Sequence, residues 1–289
     1  MSTVTRGFSV SLLGMRLAVG GDSPAIARVL DRYVLPWLPR EAFDAVSADR
    51  RVEVRAARDG ASLEVLVDGV VTEAAPSLQD VVTRVQRALD DAVVQHQRRV
   101  AIVHAGVVAH EGRALLLPGP SRAGKSTLVA ELLRRGALYL SDEYALIDPE
   151  GRAHPYPRPL LLRGEAGDDA LRLATELDST ALQEPIPVGL ILGVTYSTDA
   201  AIALEPISQG EGLMLLLRNT PQVLADQPWI LGPLERAVGE ATCYMGHRGD
   251  ARAAAAAILA LASAAPRRDP RRWPLAAVRS TSSAPVEGP

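Results

Sequence analysis

The chain has 289 residues, of which 47% are hydrophobic and 22% charged, as expected of a globular protein with one large domain or two ordinary ones. The formal net charge of -3 gives no reason to expect nucleic acid or an anionic membrane as a partner. The single cysteine, Cys243, excludes an internal disulfide and a multi-cysteine metal site, and the five histidines have no zinc-like spacing.

The opening segment and the apolar runs bear on where the protein resides. No apolar run reaches the about 18 residues that a membrane helix needs. The opening segment alternates serine and valine and is interrupted by Arg16, which favours a first strand over a signal peptide. We therefore expect a cytoplasmic protein.

Residues 1–98 are predicted to form a small α+β domain, with substrate or partner recognition as a candidate role. Residues 6–19 and 51–68 alternate apolar and polar side chains as strands do, and the second segment is predicted to be a hairpin that turns at Asp59-Gly60. Two helices are predicted, the second amphipathic with valines and a leucine along one face, at residues 22–38 and 77–99.

Residues 99–264 change in pattern and are predicted to form an α/β domain. Two strands around a turn at Glu111-Gly112 precede a helix, and residues 137–148 then form one strand or a pair. Residues 187–207 are predicted to be another hairpin. Further helices are predicted at about 210–218, 221–238 and 250–264. The tail, residues 265–289, is rich in Pro, Ser and Arg and is predicted to be disordered.

The segment GPSRAGKS, residues 119–126, matches the phosphate-binding (Walker A) pattern G-x-x-x-x-G-K-[ST]. It follows the apolar stretch RALLLP and precedes the helical stretch STLVAELLRR. Glycines let backbone N–H groups surround a phosphate, and the helix N-terminus adds partial positive charge. Lys125, the only lysine, would reach the β- and γ-phosphates of ATP, and Ser126 would bind Mg²⁺. The predicted nucleotide-binding residues are Gly119, Pro120, Ser121, Arg122, Ala123, Gly124, Lys125, Ser126 and Thr127.

Two adjacent acids, Asp142 and Glu143, follow 17 and 18 residues after Lys125, at the end of the apolar strand ALYL. We expect this strand to lie beside the strand that leads into the loop, so that both strand ends meet where ligands bind in α/β sheets. One acid can bind Mg²⁺ while the other accepts a proton from an attacking hydroxyl. The alternative is a polar strand end that starts a turn.

Together these residues carry a resemblance to a known family. HAGVVAHEGRALLLPGPSRAGKSTLVAELLRRGALYLSDEYALID resembles the catalytic core of the HPr kinase/phosphorylase family, and more closely its stand-alone serine kinases, some of which act in peptide natural-product pathways. The resemblance implies a P-loop core of mixed sheet and helices akin to phosphoenolpyruvate carboxykinase. It is specific over about residues 100–150, weaker to about 265, and gains little from residues 1–98.

The resemblance also implies roles for individual residues. Lys125 and Ser126 would bind the phosphates and the metal, Asp142 would be the general base toward a substrate hydroxyl, and Glu143 would be a metal ligand. His104 matches a family histidine near the phosphates, although a structural role is the alternative. The second acid is Asp in the bacterial HPr enzymes and Glu here, so which acid is the base and which binds metal stays open.

The chain departs from the family pattern at several positions. Ala105 replaces the glycine that follows the histidine, and Arg122 stands in the loop where the family usually has glycine. Arg122 is either a solvated residue that the loop tolerates or a contact to phosphate or substrate. Arg158, Arg163 and Arg218 are further candidates for stabilising charge during transfer. The arginine-rich signature linked to phosphorylase activity is not recognisable.

The leading hypothesis is an ATP- and Mg²⁺-dependent kinase that phosphorylates a hydroxyl, either a serine of a peptide or small protein or a small hydroxylated metabolite. The alternative of a different class is a nucleotide-binding regulatory or scaffold protein without a phosphoryl acceptor. A motor or transporter ATPase is disfavoured, because such proteins place their second acid much farther downstream. No nucleic acid or membrane partner is expected, and the family's tendency to assemble leaves a homo-oligomer open.

Overall fold

The computed structural model describes residues 6–58, 62–121, 123–162, 169–198, 200–222 and 228–265. Within these residues, helices and mixed sheets form an α/β fold. Several predictions fall outside the described residues, namely the turn at Asp59-Gly60, the roles of Arg122 and Arg163, and the tail from residue 266 onward. No helix in the described ranges is long and apolar enough to cross a membrane.

The first part of the chain forms a six-stranded sheet in the order β3-β1-β2-β4-β5-β6. Its elements are β1 (Arg6–Leu12), β2 (Met15–Gly21), α1 (Pro24–Tyr33), β3 (Glu41–Ala42), β4 (Arg50–Ala56), β5 (Leu63–Val67), β6 (Val70–Ala75) and α2 (Leu78–His96). β4 and β5 pair in an antiparallel manner, as predicted for this hairpin. Residues 6–19, predicted only as strand-like, fall in the hairpin β1–β2, with a turn at Leu13-Gly14, and β6 was not predicted.

Both helices of this part begin at serine N-caps. The Ser23 hydroxyl accepts a hydrogen bond from the Ile26 N–H, and the Ser77 hydroxyl accepts one from the Asp80 N–H. The amphipathic face predicted for α2 is confirmed by its buried apolar residues, which are Val81, Val82, Val85, Leu89 and Val93. This face packs against the sheet and fixes α2 over it.

The second part forms an eight-stranded sheet in the order β11-β10-β7-β8-β14-β16-β15, with β9 paired to β7. Its elements are β7 (Ala101–His110), β8 (Arg113–Pro118), α3 (Lys125–Leu133), β9 (Leu138–Ser141), β10 (Tyr144–Ile147), β11 (Arg152–His154), β12 (Leu160–Leu162), β13 (Ala170–Arg172), β14 (Ile186–Tyr196), β15 (Ala203–Ile207), α4 (Gln209–Arg218), α5 (Leu231–Glu240), β16 (Thr242–Arg248) and α6 (Ala251–Ala264). The predicted turn at Glu111-Gly112 is confirmed, with φ values of 48° and 76°. β12 and β13 form a separate small sheet.

The hairpin predicted at residues 187–207 is wrong. β14 and β15 do not pair with each other, because β16 lies between them, parallel to β14 and antiparallel to β15. Gly246 in β16 leaves room for this pairing, since a Cβ atom there would lie 1.9 Å from the Ala203 carbonyl oxygen. The helix predicted at 221–238 is confirmed only in its second half: α5 begins at Leu231, after a 3₁₀ turn at Pro228–Ile230, while residues 223–227 lie outside the described part.

Three apolar clusters hold the elements together. One joins α3 and α6 to one face of the larger sheet, and another joins α5 to the opposite face. The third contains the inner face of the smaller sheet and α2, and it extends to Ile102 of β7, Leu146 of β10 and Tyr156. Apolar packing is therefore continuous across residue 98, where the domain boundary is predicted. The division into domains remains a prediction.

Candidate functional site

The phosphate-loop segment joins a buried strand to a helix, as its sequence pattern requires. β8 ends at Pro118 and α3 begins at Lys125. Gly124, directly before the helix, has a φ of 78°, a left-handed conformation that glycine adopts without strain. A Cβ atom at this position would lie 2.7 Å from Nη2 of Arg248, which donates a hydrogen bond to the Gly124 carbonyl oxygen at 2.9 Å. The backbone conformation therefore favours glycine here, and any other residue would also have to displace the end of the Arg248 side chain.

The Lys125 ammonium group lies across the mouth of the loop. It donates hydrogen bonds to the carbonyl oxygens of Gly119 and Pro120, each at 2.9 Å, and lies 3.2 Å from Nε2 of His104. Burial lowers the pKa of Lys125, and the neighbouring carboxylates partly offset this effect. Phosphate oxygens accept charge-assisted hydrogen bonds more strongly than neutral carbonyls do, so an entering phosphate can capture these N–H groups.

Asp142 follows β9 and is buried, with 4% of its surface exposed. Its Oδ2 accepts a hydrogen bond from the Ser126 hydroxyl at 2.9 Å, and its Oδ1 accepts one from the Tyr139 hydroxyl at 3.1 Å. Nε of Arg158 lies 3.5 Å from Oδ1. Burial raises the pKa of Asp142, although the Arg158 charge opposes this shift. A buried carboxylate with a raised pKa is suited to accept a proton near neutral pH.

Glu143 has the opposite electrostatic setting to its neighbour Asp142. Nε2 of His104 lies 3.0 Å from Oε1 of Glu143. Burial alone would raise the pKa of Glu143, but the hydrogen bond from His104 and the charge of Arg158 outweigh burial and hold it below its usual value. When the surroundings of two carboxyl groups shift their pKa values in opposite directions, the pair can act as one proton acceptor and one permanent anion.

The strand order that brings the acids to the loop differs from the prediction. β9 does not lie beside β8, because β7 lies between them and is antiparallel to both. β8 and β9 therefore run in the same direction and end at the same edge of the sheet. His104, in the first half of β7, faces this edge and accepts a hydrogen bond from the Gly119 N–H through its carbonyl oxygen, at 3.2 Å.

One cavity of about 240 Å³ brings together most of the predicted site residues. Its lining includes His104, Asp142, Glu143, Ser121 and residues 124–127. All of these were predicted from the sequence, and they come from β7, from the segment after β9 and from the loop with the first turn of α3. The structure thus places the phosphate-loop residues and the two acids around one space.

Three predicted loop residues are not among the described residues that line the cavity. Gly119 and Pro120 hold Lys125 through their carbonyl oxygens instead. The Ala123 N–H donates a hydrogen bond to the Pro120 carbonyl oxygen at 3.3 Å, which curves the loop. These residues shape the loop rather than face its contents.

The two described arginines that were candidates for charge stabilisation differ in their position relative to the cavity. Arg158 lines the cavity, whereas Arg218 is exposed on α4 and is not among the described lining residues. Burial alone would lower the pKa of Arg158, but the carboxylates of Asp90 and Asp142 raise it well above the usual value, so the guanidinium is charged. Leu161 also lines the cavity and was not predicted.

Sequence analysis missed the residues that hold the site from outside the motif. Tyr139 donates to Asp142, and its only signal was a hydroxyl in an otherwise apolar strand. Arg248 binds the loop from 124 residues downstream of Gly124, a distance at which the sequence carries no signal. The pair that Asp90 forms with Arg158 was also not predictable, because 68 residues separate the two.

The donors at the site suit Mg²⁺ held together with a nucleotide. The described residues contain no group of three His, Cys, Asp or Glu side chains able to hold a metal ion by themselves. Mg²⁺ typically binds one or two carboxylates and retains sites for water and substrate phosphates. The Ser126 hydroxyl and the carboxylates of Asp142 and Glu143 are oxygen donors of this kind, grouped on one cavity.

Comparison of the chain with protein-family models gave no match, and comparison with curated proteins gave none either.

Proposed function

We propose that this protein is an ATP-dependent kinase that transfers the γ-phosphoryl group to a hydroxyl, a serine of a peptide or small protein. The observation that carries the proposal is the buried Asp142 carboxylate, which lines the same cavity as the phosphate loop and accepts a hydrogen bond from the loop residue Ser126. A phosphate loop by itself supports nucleotide binding only. A proton acceptor beside the loop supports transfer to an acceptor hydroxyl. The resemblance to the HPr kinase family leads to the same activity.

Each residue has a defined task in the proposed reaction. The acceptor hydroxyl gives its proton to Asp142 as its oxygen bonds to the γ-phosphorus, and the bond from that phosphorus to the β,γ-bridging oxygen breaks to release ADP. Lys125 and the N–H groups at the start of α3 bind the phosphates. Mg²⁺, when bound by Ser126 and Glu143, would neutralise phosphate charge. Arg158 keeps a positive charge in the cavity wall.

The two acids take separate roles in this proposal. Asp142, with its raised pKa, is the proton acceptor, and Glu143, with its lowered pKa, remains an anion suited to bind metal. His104 lies between Glu143 and Lys125, at 3.0 Å and 3.2 Å. A single ring nitrogen cannot donate to Glu143 and accept from Lys125 at once, so in this proposal Nε2 of His104 donates to Glu143 and orients that carboxylate.

The decisive experiment measures label transfer from γ-labelled ATP with Mg²⁺ to a library of serine-containing peptides and hydroxylated metabolites. We expect Asp142→Asn to lower the transfer rate by about 10²–10⁴-fold, because a general base contributes that much, while ADP affinity stays within threefold. Glu131→Gln is the matched carboxyl-to-amide control: Glu131 is half-buried on α3, pairs with Arg134 and is not among the described lining residues of the cavity, so the variant should retain the wild-type rate.

Two outcomes would contradict the proposal. Tight ATP binding without transfer to any acceptor would favour a regulatory or scaffold protein. Transfer at the same rate in Asp142→Asn as in the wild type would remove the proposed base. Labelling of metabolites alone would keep the reaction and replace the peptide acceptor with a small molecule.

A further inference from the structure

A buried series of polar contacts leads from helix α2 to the phosphate cavity. Asp90 on α2 accepts a hydrogen bond from the Tyr156 hydroxyl at 2.7 Å through Oδ1, and its Oδ2 forms an ion pair with Nη1 of Arg158. Nε of the same guanidinium lies 3.5 Å from Oδ1 of Asp142. Arg158 therefore stands between one carboxylate of the N-terminal sheet-and-helix unit (residues 6–96) and the proposed catalytic base.

Asp90 occupies a position where a carboxylate is costly. Its side chain is 10% exposed, and the neighbouring positions Leu89, Ala92 and Val93 are buried apolar residues. A buried carboxylate without partners strongly destabilises a fold, so its presence requires compensating contacts. The contacts with Tyr156 and Arg158 supply this compensation. An apolar residue would fill this position at lower cost unless the carboxylate served another purpose.

The ion pair with Asp90 matters for the position of Arg158 because the backbone around Arg158 is irregular. The residue lies between β11 and β12, outside any helix or strand. Nε of Arg158 is buried and has no hydrogen-bond partner among the described residues, so its contact with Asp142 is electrostatic. The planar guanidinium is rigid, so fixing one edge on Asp90 fixes the edge that faces Asp142.

A second contact reaches Asp142 from the same N-terminal unit. The Trp37 ring packs edge-on against Tyr139, with ring centroids 6.0 Å apart, and Tyr139 donates to Asp142. Two groups face Oδ1 of Asp142, the Tyr139 hydroxyl and Arg158. Each of them contacts a side chain from the N-terminal unit: Trp37 packs against Tyr139, and Asp90 pairs with Arg158.

We propose that Asp90 is a positioning residue for phosphoryl transfer: through Arg158 it fixes the orientation of the Asp142 carboxylate. This inference rests on the proposed kinase function and assigns the N-terminal unit a part in the active site. Asp90 touches neither nucleotide nor acceptor. Its loss therefore lowers the rate of the chemical step and leaves nucleotide affinity in place.

The test compares Asp90→Asn with Asp91→Asn, its exposed neighbour on the same helix. In the full chain with ATP and Mg²⁺, we expect Asp90→Asn to lower kcat by about 10–100-fold, as small misplacements of catalytic groups do. The KM for ATP and the Kd for ADP should stay within threefold. Asp91→Asn should match the wild type, and Asp90→Glu, which keeps the carboxylate, should recover part of the lost rate.

A double-mutant cycle separates positioning from a general loss of structure. Arg158→Lys should lower kcat, and adding Asp90→Asn should lower it little further, because the two residues act on Asp142 as one unit. Should Asp90→Asn fail to fold, as judged by circular dichroism, Asp90→Glu and Arg158→Lys complete the cycle.

The outcomes distinguish this inference from the kinase proposal. An active wild type with unchanged kcat in Asp90→Asn overturns the inference alone, as do additive effects in the cycle. A wild type that binds ATP and transfers no phosphoryl group overturns both.

Discussion

The two sides of the cavity are held in different ways. The loop wall, Ser121 and residues 124–127, is formed by residues close together in sequence, whose backbone conformation is set by a glycine and a helix start. The acid wall comprises Asp142 and Arg158, whose side chains come from separate segments, and the buried Tyr139 hydroxyl supports Asp142 from behind the wall. The loop wall therefore depends mainly on its own residues, whereas the acid wall depends on contacts across the whole fold.

This difference predicts how each wall responds to substitution. Changes in the loop wall should impair nucleotide binding directly. Changes around the acid wall should leave nucleotide binding intact and act on transfer or on the pH dependence of stability. The experiments below test this division, beginning with the largest expected effect.

The largest effect is expected for Lys125→Ala. It removes the ammonium group that bridges the loop and would bind the phosphates, so transfer should fall by about 10³-fold, as when a preorganised donor is lost. ATP affinity, measured by calorimetry, should fall as well. Lys125→Arg should not restore transfer, because the planar guanidinium cannot replace a compact charge in this loop. Unchanged ATP affinity in Lys125→Ala would contradict the assignment of the loop wall.

A smaller effect is expected for Gly124→Ala, measured as the free energy of unfolding in urea. Its φ of 78° strains any side chain, and the new Cβ would also displace the buried Arg248 guanidinium. Gly136→Ala is the matched control, because its φ is 91° and nothing lies within 4 Å of the added carbon.

We expect a loss of about 1 kcal/mol for Gly136→Ala from the left-handed backbone alone. Gly124→Ala should lose about 1 kcal/mol more, because the hydrogen bond from Arg248 to the Gly124 carbonyl is disturbed. Equal losses in the two variants would show that Arg248 does not support the loop wall.

The last test concerns the pH dependence of stability at the acid wall. Burial raises the pKa of Asp142, so the folded state holds this proton more tightly than the unfolded state does. The stabilisation that this proton adds to the free energy of unfolding is complete below the unfolded-state pKa of about 4. It is lost as pH rises through the folded-state pKa.

The free energy of unfolding of the wild type should therefore fall relative to that of Asp142→Asn as pH rises above the unfolded-state pKa of about 4. The slope for one such group is at most about 1.4 kcal/mol per pH unit. Urea titrations of both proteins across this range provide the measurement. A wild type that gains stability over Asp142→Asn with rising pH would show that folding lowers the pKa of Asp142 and would contradict the raised pKa.

The sequence predicted those features that depend on residues close together in the chain, namely turns, helix faces and the loop between β8 and α3. The pattern from 119 to 126 predicted a strand, a loop and a helix, and β8 and α3 flank that loop. The turn at Glu111-Gly112 and the apolar face of α2 were predictable, since turn conformation and helical periodicity depend on near neighbours. The sequence also showed directly that Asp142 and Glu143 are adjacent and follow the phosphate-loop pattern by fewer than 20 residues.

Only the tertiary structure decided which strands are neighbours and how the two acids differ. β16 separates β14 from β15, and β7 separates β8 from β9, because strand pairing is chosen by contacts between distant segments. The sequence left the roles of the two acids open. In the structure, burial raises the pKa of Asp142, whereas the hydrogen bond from His104, together with the charge of Arg158, lowers that of Glu143. Asp90 and Arg158 are 68 residues apart. Residue spacing cannot reveal such contacts, because they form only when folding excludes water from both partners.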